Sequence, residues 1–349
     1  VRRVGFGHHM PGDTRAPESF AFPACLTSLM ESLGEDVGWE TIRAHNREWT
    51  QRLVNKEYLV ASGMAFGLLW HPENCPSAMD LTQVNPDHNE TLRRAFDWAG
   101  YDCEVIGKTD ENKRALFDRI VQSIDAGKPV LAFGIVGPPE CAIVCGYDRP
   151  KDTLIGWSHF QSHDPADCED NGMFAARNWY DNLWKIVLCG GKKARSGDLG
   201  DLIRHGVQIM HATEIDGYRA GSAAYDAWIA YVGDAAYDGM PDEELKGKYR
   251  LHHMLVGNHA EARCYLGNVL FAWANGDECL IEAAKCFSEI HDTCWKVWGA
   301  AGGVGAPEGY RALRTAATRG KLIELIRCIQ SLDQKAMGAM ERWLLSREK

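Results

Sequence analysis

No stretch of this 349-residue chain is a long apolar run. A membrane-spanning helix needs about 20 such residues in succession, so no membrane partner is expected. Positive charge is also scarce, with 38 Lys and Arg against 48 Asp and Glu and a formal net charge of −10. A nucleic-acid-binding face needs the opposite balance, so no nucleic-acid partner is expected. Arg2 and Arg3 are not followed by the apolar segment of a secretory signal, which points to a cytoplasmic, bacterial-type setting. The 12 cysteines contain no Cys-x-x-Cys spacing. Together with the chain length, this argues against a disulfide scaffold. Cys145, Cys189 and Cys328 sit in apolar company, and most of the cysteines are expected as buried, reduced thiols. Neither an internal repeat nor a low-complexity tract is found.

What is present is ordinary globular composition, 45% hydrophobic and 25% charged, at a length that suggests two domains. Residues 1–193 mix helical and strand patterns with many Gly and Pro, and residues 198–349 are a succession of amphipathic helices. The seam between them is Gly190-Gly191-Lys192-Lys193-Ala194-Arg195-Ser196-Gly197. In the first part, helices are expected over Cys25–Leu33, Thr41–Val54, Glu90–Ala99 and Asn112–Ala126, the last two stopped by Gly100 and Gly127. Pro129–Gly134, Cys141–Tyr147, Thr153–His159 and Trp184–Leu188 have the length and flanks of strands. Asp148-Arg149-Pro150-Lys151-Asp152 makes the middle two a hairpin. Helices followed by an antiparallel sheet are the α+β pattern. In the second part, helices are expected over Ala223–Val232, His252–Asn275, Asp277–Trp298 and Thr315–Leu345. The last would bury Leu322, Leu325, Ile326, Ile329 and Leu332, and these helices are expected to form an all-α domain. Trp228, Trp273, Trp295 and Trp298 lie on helical stripes and are expected in its core.

Phe22-Pro23-Ala24-Cys25-Leu26-Thr27 places Cys25 at an expected helix start. Free amides and the helix dipole there favour the thiolate, which is the nucleophilic form. The alternative is a small buried residue. Downstream lie Gly127-Lys128-Pro129-Val130, then Cys141-Ala142-Ile143-Val144-Cys145-Gly146-Tyr147-Asp148, then Gly156-Trp157-Ser158-His159. With Cys25, these segments resemble the papain-like cysteine enzymes of the bacteriocin-leader peptidase type, and the N-terminal domain of butirosin-type aminoglycoside acyltransferases. The resemblance covers about residues 20–190. It implies a papain-like domain followed by a helical one, a Cys25 nucleophile, and hydrolysis or acyl transfer at an amide or thioester. This chain departs from the family at three places. Cys141 stands where the family has its catalytic His, Ser158 where it has Asp, and Ser19 where it has an oxyanion-donating Gln.

A hairpin centred near Pro150 sets 159 opposite 141. Paired residues share a face, so His159 is the candidate base. A slip of one residue would put Ser158 there instead. Glu140 is the candidate orienting acid, and His163 falls in a polar stretch expected to be a loop. Cys141, Trp157, Ser158, Ser19 and Trp70 are the candidate binding residues. His252, His259 and Glu261 lack the helical spacing of a metal motif, so neither metal nor cofactor is expected. The partners expected are a small-molecule or peptide substrate and a second copy of the chain. The competing possibility is a catalytically silent papain-like protein that binds a small molecule or a protein partner in the cleft between its domains.

Overall fold

The structure is a computed structural model, and it describes residues 2–3, 20–44, 47–71, 82–160 and 172–347. Its elements, in chain order, are β1 (Arg2–Arg3), α1 (Ala21–Ser32), β2 (Trp39–Ala44), β3 (Arg47–Arg52), α2 (Leu53–Ala61), β4 (Leu69–Trp70), α3 (His88–Ala99), β5 (Tyr101–Gly107), α4 (Lys113–Asp125), β6 (Val130–Phe133), β7 (Cys141–Asp148), β8 (Thr153–Trp157), β9 (Phe174–Ala176) and β10 (Lys185–Lys192). They continue with α5 (Leu199–His211), β11 (Glu214–Ile215), β12 (Tyr218–Ala220), α6 (Gly221–Val232), α7 (Asp242–Trp273), α8 (Glu278–Ala300) and α9 (Ala316–Arg347). Two compact units result. One comprises Val1–Tyr58 with Leu92–Ser196, and the other Leu59–Thr91 with Gly197–Lys349. The segment from Leu59 to Thr91 therefore falls with the C-terminal helices rather than with the sheet.

The first unit mixes helix with antiparallel sheet. Its strands run β5-β10-β6-β7-β8-β9, with β1 added against β7, and every pairing is antiparallel. Alternation along β6 and β7 gives the sheet two apolar faces. Val130, Ala132, Ala142 and Val144 join Leu116, Phe117, Ile120 and Ile124 of α4 in one core. Leu131, Phe133, Cys141 and Ile143 point the other way and are also buried. That face receives α1, whose Phe22 ring lies 6.2 Å from the Phe133 ring. Every residue of α1 from Ala21 to Met30 is buried, which explains an apolar stretch with no polar face. Burial of each large side chain here contributes about 1.5–3 kcal/mol.

Two expectations change in this unit, and one strand is new. The first helix starts at Ala21, four residues before Cys25. Pro23 is accommodated because first-turn amides have no partner within the helix. Thr41–Val54 is not a helix. Thr41 pairs with Thr50 and Ile42 with Trp49 in the β2–β3 hairpin. β-branched and aromatic side chains favour that pleated pairing, and the apparent helical spacing of Ile42, Trp49 and Leu53 was coincidental. Strand β5 carries no strong alternating apolar signal and owes its place to pairing with β10.

The second unit holds the long helices α7, α8 and α9 with α5, α6 and a small β11-β12-β4 sheet. The buried stripe of α9 is Leu322, Ile326, Ile329, Asp333, Ala336, Met340 and Trp343, so Asp333 rather than Leu325 or Leu332 faces inward. Cys328 and Trp295 are exposed, contrary to expectation. The other described cysteines are buried or partly buried, and all described cysteines are free. Among the described residues, no helix is long and apolar enough to cross a membrane.

Candidate functional site

Helix α1 and the beginning of β7 bring Cys25 and Cys141 together in the first unit. The Cys25 Sγ donates to the Cys141 carbonyl oxygen at 3.6 Å, and the Cys141 Sγ turns to the Ala142 carbonyl at 3.8 Å. Cys25 is 0% exposed and Cys141 2%. Burial, then the adjacent Cys25 thiol, then the Glu140 charge hold the Cys141 thiol well above the ordinary thiol range. The Cys25 amide is not one of the free donors of the helix start. The Ala24 N–H already bonds the Phe20 carbonyl at 3.1 Å, so Cys25 lies past the free amides of the helix start. The dipole effect, strongest in the first turn, is correspondingly reduced at its sulfur.

The ladder between β7 and β8, after which His159 follows, contains an irregularity. Near the turn, Asp148 pairs with Thr153, Tyr147 with Leu154 and Gly146 with Ile155. Beyond a bulge at Cys145 the register changes, and Val144 pairs with Gly156 and Ile143 with Trp157. Continued past the end of β8, this second register sets His159 across from Cys141. The turn-side register would instead have set it across from Ala142, on the α4 face. A bulge re-aims side chains in this way. Gly156 is needed at this crossing, because a Cβ there would run into the Ile143 carbonyl oxygen and meet the Phe174 ring at 2.7 Å.

His159 itself lies in the turn after β8, with its ring edge-on to Trp157 at 4.6 Å. Burial, and after it the positive Arg52, push the imidazole down to about 4, so the ring is neutral near pH 7. Its Nε2 is buried and has no hydrogen-bond partner. Arg52, at the end of β3, ties this corner to α1. Its Nη1 donates to Ser28 Oγ at 2.9 Å and to Glu31 Oε2 at 3.1 Å, and its Nη2 to the Ala24 carbonyl at 3.3 Å. The guanidinium is therefore fixed on the turn that carries Cys25, and its charge is felt at His159.

The remaining candidates scatter. Glu140 is buried next to Cys141, and its charge acts on that thiol. Ser158 is buried, and its Oγ accepts from the Phe160 N–H at 3.2 Å. Trp157 is buried opposite Ile143. Trp70 belongs to the second unit, where its ring packs edge-on to Tyr231 at 4.9 Å. Ser19 and His163 lie outside the described residues.

Sequence reasoning missed two further groups. Arg52 gave no signal, because an Arg beside a hairpin is ordinarily a solvated charge. In the second unit, Arg263 grips Asp333 through Nε at 2.8 Å and Nη2 at 2.7 Å. Arg263 also donates to the Ala65 and Phe66 carbonyls. Tyr225 Oη donates to Asp333 Oδ2 at 2.9 Å and lies 2.7 Å from His259 Nε2. A cavity of about 100 Å³ opens over Tyr225, Arg263 and Asp333. The signal for this network was present in the sequence, as a charged residue on the buried stripe of each of two helices. His252 and His259 are buried with different aromatic partners, Trp228 and Tyr225. Among the described residues, no three His, Cys, Asp or Glu side chains gather as a metal ion would require.

These features define a mixed helix–sheet unit with two buried cysteines packed together and, in the turn after β8, a buried neutral imidazole, joined in one chain to a helical unit. Set against known proteins, the chain matches no family model and no curated sequence.

Proposed function

We propose that the first unit is a papain-like cysteine enzyme domain, acting on an amide or thioester with Cys25 as nucleophile and His159 as base. One observation carries this reading. An unpartnered, buried imidazole nitrogen sits in the corner that Arg52 ties to the Cys25 turn. A buried ring nitrogen without a partner costs about 1–3 kcal/mol, and such groups collect at functional sites. In the proposed reaction, His159 Nε2 takes the Cys25 thiol proton and the sulfur attacks the acyl carbon. The leaving group recovers the proton as its bond to the acyl carbon breaks, and water or an amine then resolves the thioester. At about 4 the imidazole is a weak base, well below the working optimum near neutrality. That weakness, the complete burial of Cys25, and Cys141 in the family's His position favour a second reading, a silent scaffold that binds without turnover.

Iodoacetamide labelling of the full chain across pH separates the two. The enzyme reading expects Cys25 alkylation faster than that of a model thiol of pKa about 8.5, with the acceleration lost in His159→Gln. Labelling slower than the model thiol at every pH would leave only the scaffold.

A further inference from the structure

We infer that Cys25 and Cys141 form a reversible intrachain disulfide that withdraws the Cys25 sulfur from chemistry. The inference rests on the packing of α1 against β7 and holds whether or not the site turns over. The two side chains leave different elements 116 residues apart, the Cys25 Sγ lies 3.6 Å from the Cys141 carbonyl oxygen, and both residues are buried, close enough for the Cys25 thiol to act on that of Cys141. Such contact is the arrangement from which an S–S bond forms with little backbone movement. In the proposed mechanism Cys141 has no part of its own, and the family's imidazole position has become a second sulfur.

Hydrogen peroxide is the oxidant class that fits a closed corner, because it is little larger than water. A first thiol's sulfur attacks one peroxide oxygen, and the thiol proton passes to the other oxygen as it leaves. The O–O bond breaks, giving a sulfenic acid and one water. The second thiol's sulfur then attacks the sulfenic sulfur, forming the S–S bond and releasing a second water. Two thiols are oxidised by one electron each and one peroxide is reduced by two. A dithiol reductant reverses the reaction by exchange.

The chain contains its own comparison. Cys103 and Cys189 are direct cross-strand partners on β5 and β10, and both are free. The Cys189 thiol points to its neighbour's Gly190 carbonyl at 4.0 Å, whereas the Cys25 thiol reaches across to the Cys141 backbone. Direct opposition in a ladder does not by itself give disulfide geometry, so Cys25–Cys141 is expected to close in preference.

The experiment uses the reduced full chain, treated with hydrogen peroxide, alkylated after denaturation, digested and mapped by mass. The expected result is a crosslinked peptide pair containing Cys25 and Cys141, two hydrogens lighter than its separate reduced parts. It should disappear with dithiothreitol, and Cys25 alkylation should be lost while the link persists. In Cys141→Ser the link should be absent and Cys25 alkylation restored. Recovery of both cysteines as alkylated thiols, or a link confined to Cys103–Cys189, overturns the inference. A Cys25–Cys141 link in a protein whose reduced Cys25 labels no faster than a model thiol leaves the disulfide standing and removes only the enzyme reading.

Discussion

Replacing Asp333 by Ala tests the buried ion pair of the helical unit. The carboxylate accepts two hydrogen bonds from Arg263 and one from Tyr225, at 2.7–2.9 Å. Arg263 is only 1% exposed. Removing Asp333 leaves a guanidinium in the interior with only the Ala65 and Phe66 carbonyls to face it. Breaking one side of a buried pair costs about 3–5 kcal/mol, most of it the uncompensated charge. Arg263→Met on its own strands the Asp333 charge and also frees the two carbonyls. In the double variant Arg263→Met/Asp333→Leu no charge remains, the Tyr225 hydroxyl keeps His259 Nε2 at 2.7 Å as a partner, and replacing a buried ion pair by apolar side chains of similar volume is often neutral or even stabilising. The double variant should therefore be more stable than Asp333→Ala, although it removes more bonds. Urea unfolding of the full chain, followed by far-UV circular dichroism and by tryptophan emission, reads the difference, with two transitions allowed for the two units. If Asp333→Ala shifts the helical transition by less than about 1 kcal/mol, or if the double variant loses the sum of the singles, the argument from buried charge is refuted.

Three further outcomes follow from particular residues. His159 titrates near 4 in the folded chain, below the 6.5 of an unhindered imidazole, so the unfolded state binds the extra proton between those values. Stability then rises with pH through that window and falls on acidification, by up to about 3 kcal/mol from this group. In His159→Gln the slope between pH 4 and 6.5 should be shallower, and an unchanged slope contradicts the assignment. Gly156→Ala forces a Cβ against the Ile143 carbonyl and the Phe174 ring, and should destabilise the sheet unit by about 1–3 kcal/mol or more, read as a lowered thermal midpoint. Cys328, exposed on α9, should be labelled well before Cys294 in the native protein, because Cys294 is buried and burial also pushes its thiol up. Equal labelling rates would contradict the packing of α8.

Much of the fold was legible because periodicity reports which face an element buries. Helices α4, α6, α8 and α9 and strands β6, β7 and β8 lie where the spacing of apolar residues put them, to within a few residues. The β2–β3 hairpin was not legible, since Ile42 and Trp49 fit a helical interval as well as a cross-strand pair. Helix α1 was placed late because its first turn contains a proline and lacks a polar cap. At the site, the meeting of Cys25 with residue 141 was implied only through a family resemblance. The identity of that residue as a second thiol was plain in the sequence, but its contact with Cys25 was not.

Local pattern, then, placed most of the helices and strands and named the residues that are candidates for chemistry, because those properties depend largely on neighbours a few positions away. Tertiary packing alone decided that Arg52 reaches back over the Cys25 turn, that a bulge at Cys145 shifts the register between β7 and β8, and that Arg263 finds Asp333 across 70 residues. Each depends on a partner distant along the chain, and the energy of a buried charge or an orphaned nitrogen is set by what surrounds it in space.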